Sequence, residues 1–341
     1  MQRCLQLARM GAGAVAPNPM VGAVLVYNHV IIGEGYHRQW GGPHAEVECI
    51  SSVKKECEHL IPQATIYVSL EPCAHFGKTP PCADLIVVQG IKKVVVGCRD
   101  PFSLVAGKGI EKLKAAGIEV IVGVLEKECT ELNRHFFTYH TWQRPYITLK
   151  WAQSSNGCIA NGNFKPLAIS STYTARLVHR WRSEHSAIMV GTNTALFDNP
   201  QLTTRYWPGK TPLRIVLDKT LRLPASLHLF DGQHPTVVFN CIQHSEHYNL
   251  TYYQLSREED FMEQIAKALY HLKVDSLLVE GGTQLLQSFI DAGLWDEAKV
   301  ITAEKLNVHN GISAPQLHHH QCTGHQTIFT DTIRTYIPHL N

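Results

Sequence analysis

Long apolar runs and an excess of charge of either sign are both absent from this 341-residue sequence. No stretch of about 18 consecutive apolar residues occurs, so a membrane-spanning helix is not expected. The first residues, MQRCLQLAR, lack the continuous apolar segment of a secretory signal. Lys and Arg total 31 against 29 for Asp and Glu, which is too balanced for a strongly electrostatic nucleic-acid binder. We therefore expect a cytoplasmic protein that binds neither membrane nor nucleic acid.

Low-complexity tracts and internal repeats are also absent, and a hydrophobic content of 44% excludes collagen-like and disordered classes. At roughly 150 residues per domain, the length predicts two domains. The ten cysteines are scattered, which favours reduced thiols, a few of them bound to metal. The histidine triplet at 318–320 has no Cys or carboxylate beside it at ligand spacing, so we expect it to be surface sequence.

Strands and helices alternate along the chain, which predicts an α/β fold. In the first half, two apolar segments flank Asn28 and His29 as in a hairpin. Further strands are expected at 65–70, 93–97 and 120–122, and helices at 45–57, 82–89, 107–116 and 125–139. Pro145 cannot continue a helix, so we place the domain boundary after residue 143. The second half, 144–341, predicts strands at 146–152, 187–191, 213–217, 236–240, 276–280 and 298–302, with helices at 174–183, 261–271 and 283–292.

A metal-site pattern occurs in the first half. His44 and Glu46 form an H-x-E motif at a predicted helix start, Cys73 follows Glu-Pro at a strand end, and Cys82 opens another helix. One imidazole and two thiolates suit a tetrahedral Zn²⁺ that keeps its fourth position for water, and Glu46 would act as the general base. Zinc nucleobase deaminases have this arrangement. The alternative, a structural histidine and two unrelated core cysteines, is disfavoured because the three motifs occur together.

The sequence resembles the bifunctional riboflavin-biosynthesis deaminase/reductase family nearly from end to end. The motifs that carry the resemblance in the first half are 17–22 (PNPMVG), 43–47 (PHAEV), 71–82 (EPCAHFGKTPPC), Asp100-Pro101 and 105–109 (VAGKG). The resemblance implies a cytidine-deaminase-like α/β/α domain followed by a dihydrofolate-reductase-like α/β domain. It also implies two consecutive reactions. The first is deamination of 2,5-diamino-6-ribosylamino-4(3H)-pyrimidinone 5′-phosphate, and the second is NADPH-dependent reduction of the ribosyl group to ribityl.

Site residues in the deaminase domain, 1–143, follow from the same resemblance. Asn18 would bind the pyrimidine, His75 and Lys78 would face the substrate, and Asp100 would lie at the ribose end. The family often has Asn after Asp-Pro, whereas this chain has Phe102 and Ser103. A polar contact to the sugar phosphate is therefore either absent or supplied by Ser103.

The reductase domain, 144–341, lacks a G-x-G-x-x-G motif, so a Rossmann site is not expected. Instead, glycines at a strand-to-helix junction in 279–283 (VEGGT) would let backbone N–H groups approach a phosphate. Together with 149–154 (LKWAQS), 190–194 (VGTNT) and 198–203 (DNPQLT), this resembles the family's reductase domain. The resemblance implies that NADPH contacts Ala152, Thr194, Asp198, Gly282, Thr283, Gln284, Leu285 and Leu286. The phosphoribosyl substrate would be held by Arg182, Leu202, Arg205 and Glu280. Lys150 and Asp198 are candidates to assist proton movement.

Two departures concern the reductase. The family's Ser-Leu-Asp-Gly is here 154–157 (SSNG), and its Ser-x-Trp is 166–168 (PLA). One contact to cofactor and one to substrate are in doubt, so the second half could be a non-catalytic binding or dimerisation module. A deaminase acting on nucleic-acid bases is the other alternative, disfavoured by the balanced charge. We expect a homo-oligomer that acts on a small pyrimidine nucleotide.

Overall fold

The computed structural model describes residues 1–74, 80–102, 106–162 and 167–339. The chain divides into two compact units, Met1–Gln143 and Arg144–Asn341. None of the helices in the described ranges has the length and apolarity that crossing a bilayer requires.

The described residues of the first unit form one five-stranded mixed sheet with helices around it. The elements in chain order are α1 (Gln2–Arg9), β1 (Gly22–Tyr27), β2 (Val30–Tyr36), α2 (Ala45–Ser51), β3 (Thr65–Leu70), α3 (Cys82–Val88), β4 (Lys93–Cys98), α4 (Lys108–Ala115), β5 (Glu119–Val122), α5 (Glu126–Leu132) and α6 (Arg134–Trp142). The strand order is β2-β1-β3-β4-β5, with β1 antiparallel to both neighbours and β3, β4 and β5 parallel.

The predicted hairpin is confirmed. β1 and β2 pair in antiparallel register across Asn28 and His29, whose φ angles of 44° and 65° are those of a two-residue turn that matches strand twist. The predicted strands at 65–70 and 93–97 correspond to β3 and β4. Their continuous apolar sequence fits strands that are buried on both faces of a parallel sheet.

Two predicted helices are wrong in extent. The helix expected at 45–57 ends at Ser51, because the Ser52 hydroxyl donates to the Cys49 carbonyl and accepts the Glu34 amide of β2. A separate 3₁₀ segment, Lys55–Gln63, follows. The helix expected at 125–139 is two helices, because Asn133 (φ −107°) leaves the helical conformation and its side chain pairs with both the amide and the carbonyl of Met20.

The described residues of the second unit form a ten-stranded sheet and a separate two-stranded ribbon. The elements are β6 (Tyr146–Ser154), β7 (Cys158–Asn161), α7 (Thr172–Glu184), β8 (Ala187–Gly191), α8 (Thr192–Asp198), β9 (Leu213–Leu217), β10 (Thr236–Asn240), β11 (Ser245–His247), β12 (Leu250–Gln254), α9 (Phe261–His271), β13 (Ser276–Val279), α10 (Thr283–Asp291), β14 (Glu297–Ala303), β15 (Gly311–Ser313), β16 (His320–Ile328) and β17 (Asp331–Pro338). The order in the large sheet is β11-β12-β10-β9-β8-β13-β6-β14-β17-β16, and β15 pairs with β7.

The central strands of this sheet, from β12 to β14, are parallel. Successive residues of β8 pack into different cores, with Met189 on the α9 and α10 side and Val190 on the α7 side. Both faces are therefore covered, and the carboxyl ends of the parallel strands open at one edge, where ligands bind in open α/β sheets. The two-domain α/β fold class is confirmed.

Candidate active sites

Helix α2 places His44 and Glu46 at one end of the first unit's sheet. His44 is the N-cap residue (φ −75°, ψ 163°), and Glu46 lies in the first turn with only 3% of its surface exposed. The helix packs directly on β2 because Gly33 and Gly35 leave no side chain between them; a Cβ at Gly35 would lie 2.2 Å from the Cys49 nitrogen. The glycines of β2 thus fix the depth at which the imidazole and the carboxyl group sit.

The two cysteines approach His44 from different elements. Cys73 follows the carboxyl end of β3 by three residues, and Cys82 is the first residue of α3. The His44 Nδ1 atom lies 3.5 Å from Cys73 Sγ and 3.3 Å from Cys82 Sγ. The Cys82 amide is 3.3 Å from Cys73 Sγ, which ties the start of α3 to the Cys73 thiol.

These distances fit a zinc ion. With Zn–N near 2.05 Å and Zn–S near 2.3 Å, a tetrahedral site has N···S edges of about 3.5 Å. All three donor atoms lie within 4.8 Å of one another, and they form the only such cluster of three metal-ligating side chains in the described ranges. The donor set and its geometry therefore suit zinc, as expected from the sequence.

The groups around the metal-ligating atoms shift one another's pKa values. Hydrogen bonds from the Cys82 thiol and the His44 imidazole lower the pKa of Cys73 to about 4. The hydrogen bond between the two cysteines raises the pKa of Cys82. The Cys73 contact also raises the pKa of His44. Burial, reinforced by the negative Cys73, raises the pKa of Glu46 to about 7. The carboxyl group thus lies beside the cluster in a dry environment.

Asn18 is oriented by a histidine that the sequence analysis missed. His37 Nδ1 lies 2.8 Å from the Pro43 carbonyl, so this nitrogen donates and His37 Nε2 accepts from the Asn18 amide at 3.1 Å. Burial lowers the pKa of His37, consistent with a neutral ring. The rings of His37 and His44 meet edge-on, with centroids 5.6 Å apart. The proximity of Asn18 to the cluster follows from these contacts.

Asp100 lies on the segment after β4, which is anchored by Glu71. The buried Glu71 carboxylate accepts four backbone N–H groups, from Asp100, Gly107, Gly109 and Ile110, at 3.0–3.3 Å. The last two are at the start of α4, so Glu71 caps that helix from another element. Asp100 itself accepts the Phe102 amide at 2.8 Å, and burial raises its pKa to about 6. His75, Lys78 and Ser103 lie outside the described residues.

The second unit contains a cavity of about 990 Å³ at the carboxyl ends of its parallel strands. The predicted cofactor residues Ala152, Thr194, Asp198 and 282–286 line it, together with Lys150 and Glu280. Gly282 has φ +69° and precedes α10, and a Cβ there would lie 3.2 Å from Thr194 Oγ1. The glycines therefore let the backbone pass close to Thr194, and the start of α10 faces the cavity, as suits a dinucleotide phosphate.

A buried ion network connects the cavity to α7. Arg182 donates from Nε and Nη2 to the two oxygens of Glu280, at 2.7 and 2.8 Å, and Lys150 Nζ lies 3.5 Å from the same carboxylate. Burial alone would raise the pKa of Glu280, but the charges of Arg182 and Lys150 outweigh it and bring the pKa to about 2. Glu280 is therefore a fixed anion that orients the Arg182 fork.

The remaining predicted reductase residues differ in accessibility. Arg205 is exposed, whereas the Leu202 side chain is buried in the core on the α7 side, so contact by Leu202 would be through its backbone. Burial raises the pKa of Asp198. Ala168, at one of the two sequence departures noted above, lines the cavity. Asn156 pairs with both the amide and the carbonyl of Val308, so it anchors its turn to the segment after β14.

Three charged residues that line this cavity escaped the sequence analysis. Asp218, Lys219 and Arg222 follow the carboxyl end of β9 and line the same cavity. Arg222 donates to the Asn193 side chain at 2.6 Å, and Lys219 Nζ lies 3.8 Å from the Phe261 ring centroid. The signal that could have found them is their position directly after a parallel strand, where ligand-binding loops occur.

Comparison with family models matches both units. Residues 1–98 match the cytidine and deoxycytidylate deaminase zinc-binding region, and residues 145–306 match the RibD C-terminal domain. The chain is 43% identical over 311 residues to the riboflavin biosynthesis protein RibD of Aquifex aeolicus, covering 90% of this chain and 86% of that protein. It is 39% identical over 317 residues to RibD of Actinobacillus pleuropneumoniae, covering 90% and 83%.

Among solved structures, a diaminohydroxyphosphoribosylaminopyrimidine deaminase/5-amino-6-(5-phosphoribosylamino)uracil reductase from Thermotoga maritima superposes with a TM-score of 0.89. The sequences are 37% identical, and the match covers 99% of this chain and 97% of that one. RibD of Acinetobacter baumannii gives the same TM-score at 31% identity, covering 99% and 98%. The two alternatives, a nucleic-acid base deaminase and a non-catalytic second domain, are not favoured by these matches. The chain therefore belongs to the RibD family of bifunctional riboflavin-biosynthesis enzymes, which join a zinc-binding deaminase domain to a reductase domain.

Proposed function

We propose that the first unit removes the 2-amino group of 2,5-diamino-6-ribosylamino-4(3H)-pyrimidinone 5′-phosphate. The second unit then reduces the ribosyl group of the product to ribityl with NADPH. The observation that carries this proposal is the convergence of His44, Cys73 and Cys82 beside the buried Glu46. The family's two-domain composition supports the pairing of the two reactions.

In the deamination, water replaces the amine and ammonia leaves. Zn²⁺, when held by His44, Cys73 and Cys82, supplies the Lewis acidity that makes water a nucleophile at neutral pH. Glu46 accepts one proton from the attacking water and passes it to the ring nitrogen; it then takes the remaining proton of the new hydroxyl group and passes it to the departing amine, which leaves as ammonia. Asn18, oriented by His37, hydrogen-bonds the pyrimidine edge.

In the reduction, the opened sugar presents a C1′=N imine. NADPH, when bound along Ala152, Thr194, Asp198 and 282–286, supplies the hydride. The carbon C1′ gains this hydride and the nitrogen gains a proton, which Lys150 or Asp198 would relay. Arg182, Arg205 and the Leu202 backbone hold the phosphoribosyl part, and Glu280 keeps Arg182 in its orientation. The two reacting carbons are brought together by the surrounding residues, which is the main contribution of the protein here.

We further propose that the protein works in the cytoplasm as a homo-oligomer on this small nucleotide, without nucleic acid. The free thiols support a reducing compartment. Strand β16 supports assembly, because it lies at the edge of the large sheet and seven of its nine residues are exposed. Sedimentation equilibrium of the full chain tests the assembly, and a single-chain mass at all concentrations would contradict it.

Ammonia release and NADPH oxidation, followed together on the purified zinc-loaded protein, test the proposed function. Glu46→Gln should abolish ammonia release and leave reduction of the pre-deaminated substrate unchanged. Glu48→Gln is the matched control, because Glu48 is on the same helix and pairs with the exposed Arg38 at 3.0 Å. Loss of both activities in a folded Glu46→Gln protein would contradict two separate sites.

A further inference from the structure

His179 on α7, in the second unit, lies near Arg182 and Arg205, two arginines of the proposed substrate site. Only 4% of its surface is exposed, and its Nδ1 atom is 2.9 Å from the backbone nitrogen of Arg205. Because a backbone N–H can only donate, Nδ1 accepts and the ring proton is on Nε2. Burial, aided by the charges of Arg182 and Arg205, lowers the pKa of His179 to about 4, while Glu280 opposes and Lys150 adds to this effect. The imidazole is therefore neutral at pH 7.

The bond to Arg205 holds a loop with unusual backbone conformation. Asn199 and Leu202 have φ angles of +39° and +53°, which L residues with side chains seldom adopt. Such conformations persist where surrounding contacts fix them, and they occur at ligand-binding loops. Here the Leu202 side chain is buried, the Thr203 carbonyl accepts from Arg182 Nη1 at 3.1 Å, and the Arg205 amide donates to His179. Two of these three contacts come from α7.

The loop determines where two guanidinium groups point. Arg205 donates from Nη1 to Gln201 Oε1 at 2.5 Å and to Thr203 Oγ1 at 3.1 Å. Arg182 donates a hydrogen bond to the backbone carbonyl of the same Thr203 and two further hydrogen bonds to the Glu280 carboxylate. A guanidinium has five N–H donors, and within residues 167–339 neither arginine donates all five. Arg182, Arg205 and Lys150 together carry three positive charges, and Glu280 carries one negative charge. This excess of positive charge suits a phosphate dianion.

We propose that His179 is a positioning residue for phosphate recognition in the reductase: its imidazole holds the Arg205 amide, and so keeps the Arg205 and Arg182 guanidinium groups together on the substrate phosphate. The inference rests on the proposed function of the second unit and adds to it the device that assembles the phosphate clamp. His179 acts through Arg205 and touches neither substrate nor cofactor.

Two substitutions separate this role from simple packing. In His179→Asn, the amide oxygen takes nearly the place of Nδ1 and keeps the acceptor, whereas His179→Leu fills similar space without one. For reduction of the deaminated substrate we expect His179→Leu to raise KM about tenfold, the effect of one lost hydrogen bond, with kcat changed less than threefold. The KM for the dephosphorylated substrate should not change, and His179→Asn should stay within about threefold of wild type. Equal rises in KM for both substrates, or none, would overturn the proposal.

Binding of ribose 5-phosphate by calorimetry gives a readout without turnover. The affinity for ribose 5-phosphate should weaken about tenfold in His179→Leu and should not change in His185→Leu. His185→Leu is the control, because the buried His185 lies at the end of the same helix and would lose its hydrogen bonds to Trp181 and Thr148. Should His179→Leu not fold, ¹⁵N-histidine spectra of the wild-type protein decide. An unprotonated Nδ1 that does not titrate between pH 6 and 8 supports the inference, and an Nδ1–H tautomer overturns it. A wild type that binds ribose 5-phosphate but never oxidises NADPH would instead contradict the proposed function.

Discussion

The Glu280 carboxylate should contribute strongly to the stability of the second unit, in a way that depends on pH. Its side chain is 6% exposed and lies between Arg182 and Lys150, and its pKa is about 2 compared with an ordinary value of 4.5. At 1.36 kcal/mol per pKa unit, the difference corresponds to roughly 3 kcal/mol at neutral pH. Because the folded-state pKa is lowered, this stabilisation is fully present above pH 4.5 and is lost as the pH falls towards 2.

Glu280→Gln should therefore lower the Tm of the second unit by about 6–12 °C at pH 7, since 1 kcal/mol shifts a unit of this size by 2–4 °C. The stability gap to wild type should narrow by roughly 2 kcal/mol between pH 7 and pH 3. Tryptophan fluorescence during heating and urea unfolding measures both quantities, because four of the six tryptophans lie in this unit.

Glu184→Gln is the matched control for Glu280→Gln, because Glu184 forms an exposed pair with Arg180 on α7 at 2.7 Å and should contribute less than about 1 kcal/mol. If Glu280→Gln destabilises no more than this control, or by the same amount at pH 3 as at pH 7, the electrostatic reasoning is refuted.

Two further substitutions test the packing that supports the sites. Arg214→Met should lower the free energy of unfolding of the second unit by about 3–5 kcal/mol, measured by urea unfolding, because the fully buried guanidinium donates to five acceptors around 228–236. A loss of stability no larger than that of the exposed control Arg180→Met would contradict this prediction. Gly109→Ala should cost about 3 kcal/mol or more and slow ammonia release, because a Cβ would lie 1.9 Å from the Pro72 carbonyl oxygen. In the control Gly117→Ala the Cβ has open space and φ is +78°, so only backbone strain of about 1 kcal/mol is expected. Equal losses of stability in the two variants would count against a packing effect at Gly109.

Local patterns predicted the parts of the fold that depend on neighbouring residues. The β1–β2 hairpin follows from two turn residues between apolar segments, and the parallel strands follow from short apolar runs. The break between α5 and α6 could not be predicted, because Asn133 bonds to Met20 at a separation of 113 residues. Strand β16 was also missed, since it is largely exposed and so lacks an apolar alternation.

In the candidate sites, too, some residues could be predicted from local patterns and others could not. Motif spacing predicted His44, Cys73 and Cys82, which the structure brings together and whose residue types suit zinc, and it predicted Glu46 as the general base beside them. The residues that orient others were not found, because a histidine such as His37 or His179 carries no local signal of its distant partner. Nor does composition reveal that Glu71 caps a helix 37 residues further along the chain.

The most direct test of the central claim is zinc K-edge X-ray absorption on the purified full chain, with metal content measured on the same sample. We predict one zinc per chain with two sulfur ligands at about 2.3 Å and nitrogen or oxygen ligands near 2.0–2.1 Å. Cys73→Ser and Cys82→Ser should each remove one sulfur ligand from this set. A shell with four sulfurs or with none, or a spectrum that neither substitution changes, would contradict the assignment of His44, Cys73 and Cys82 to one zinc site.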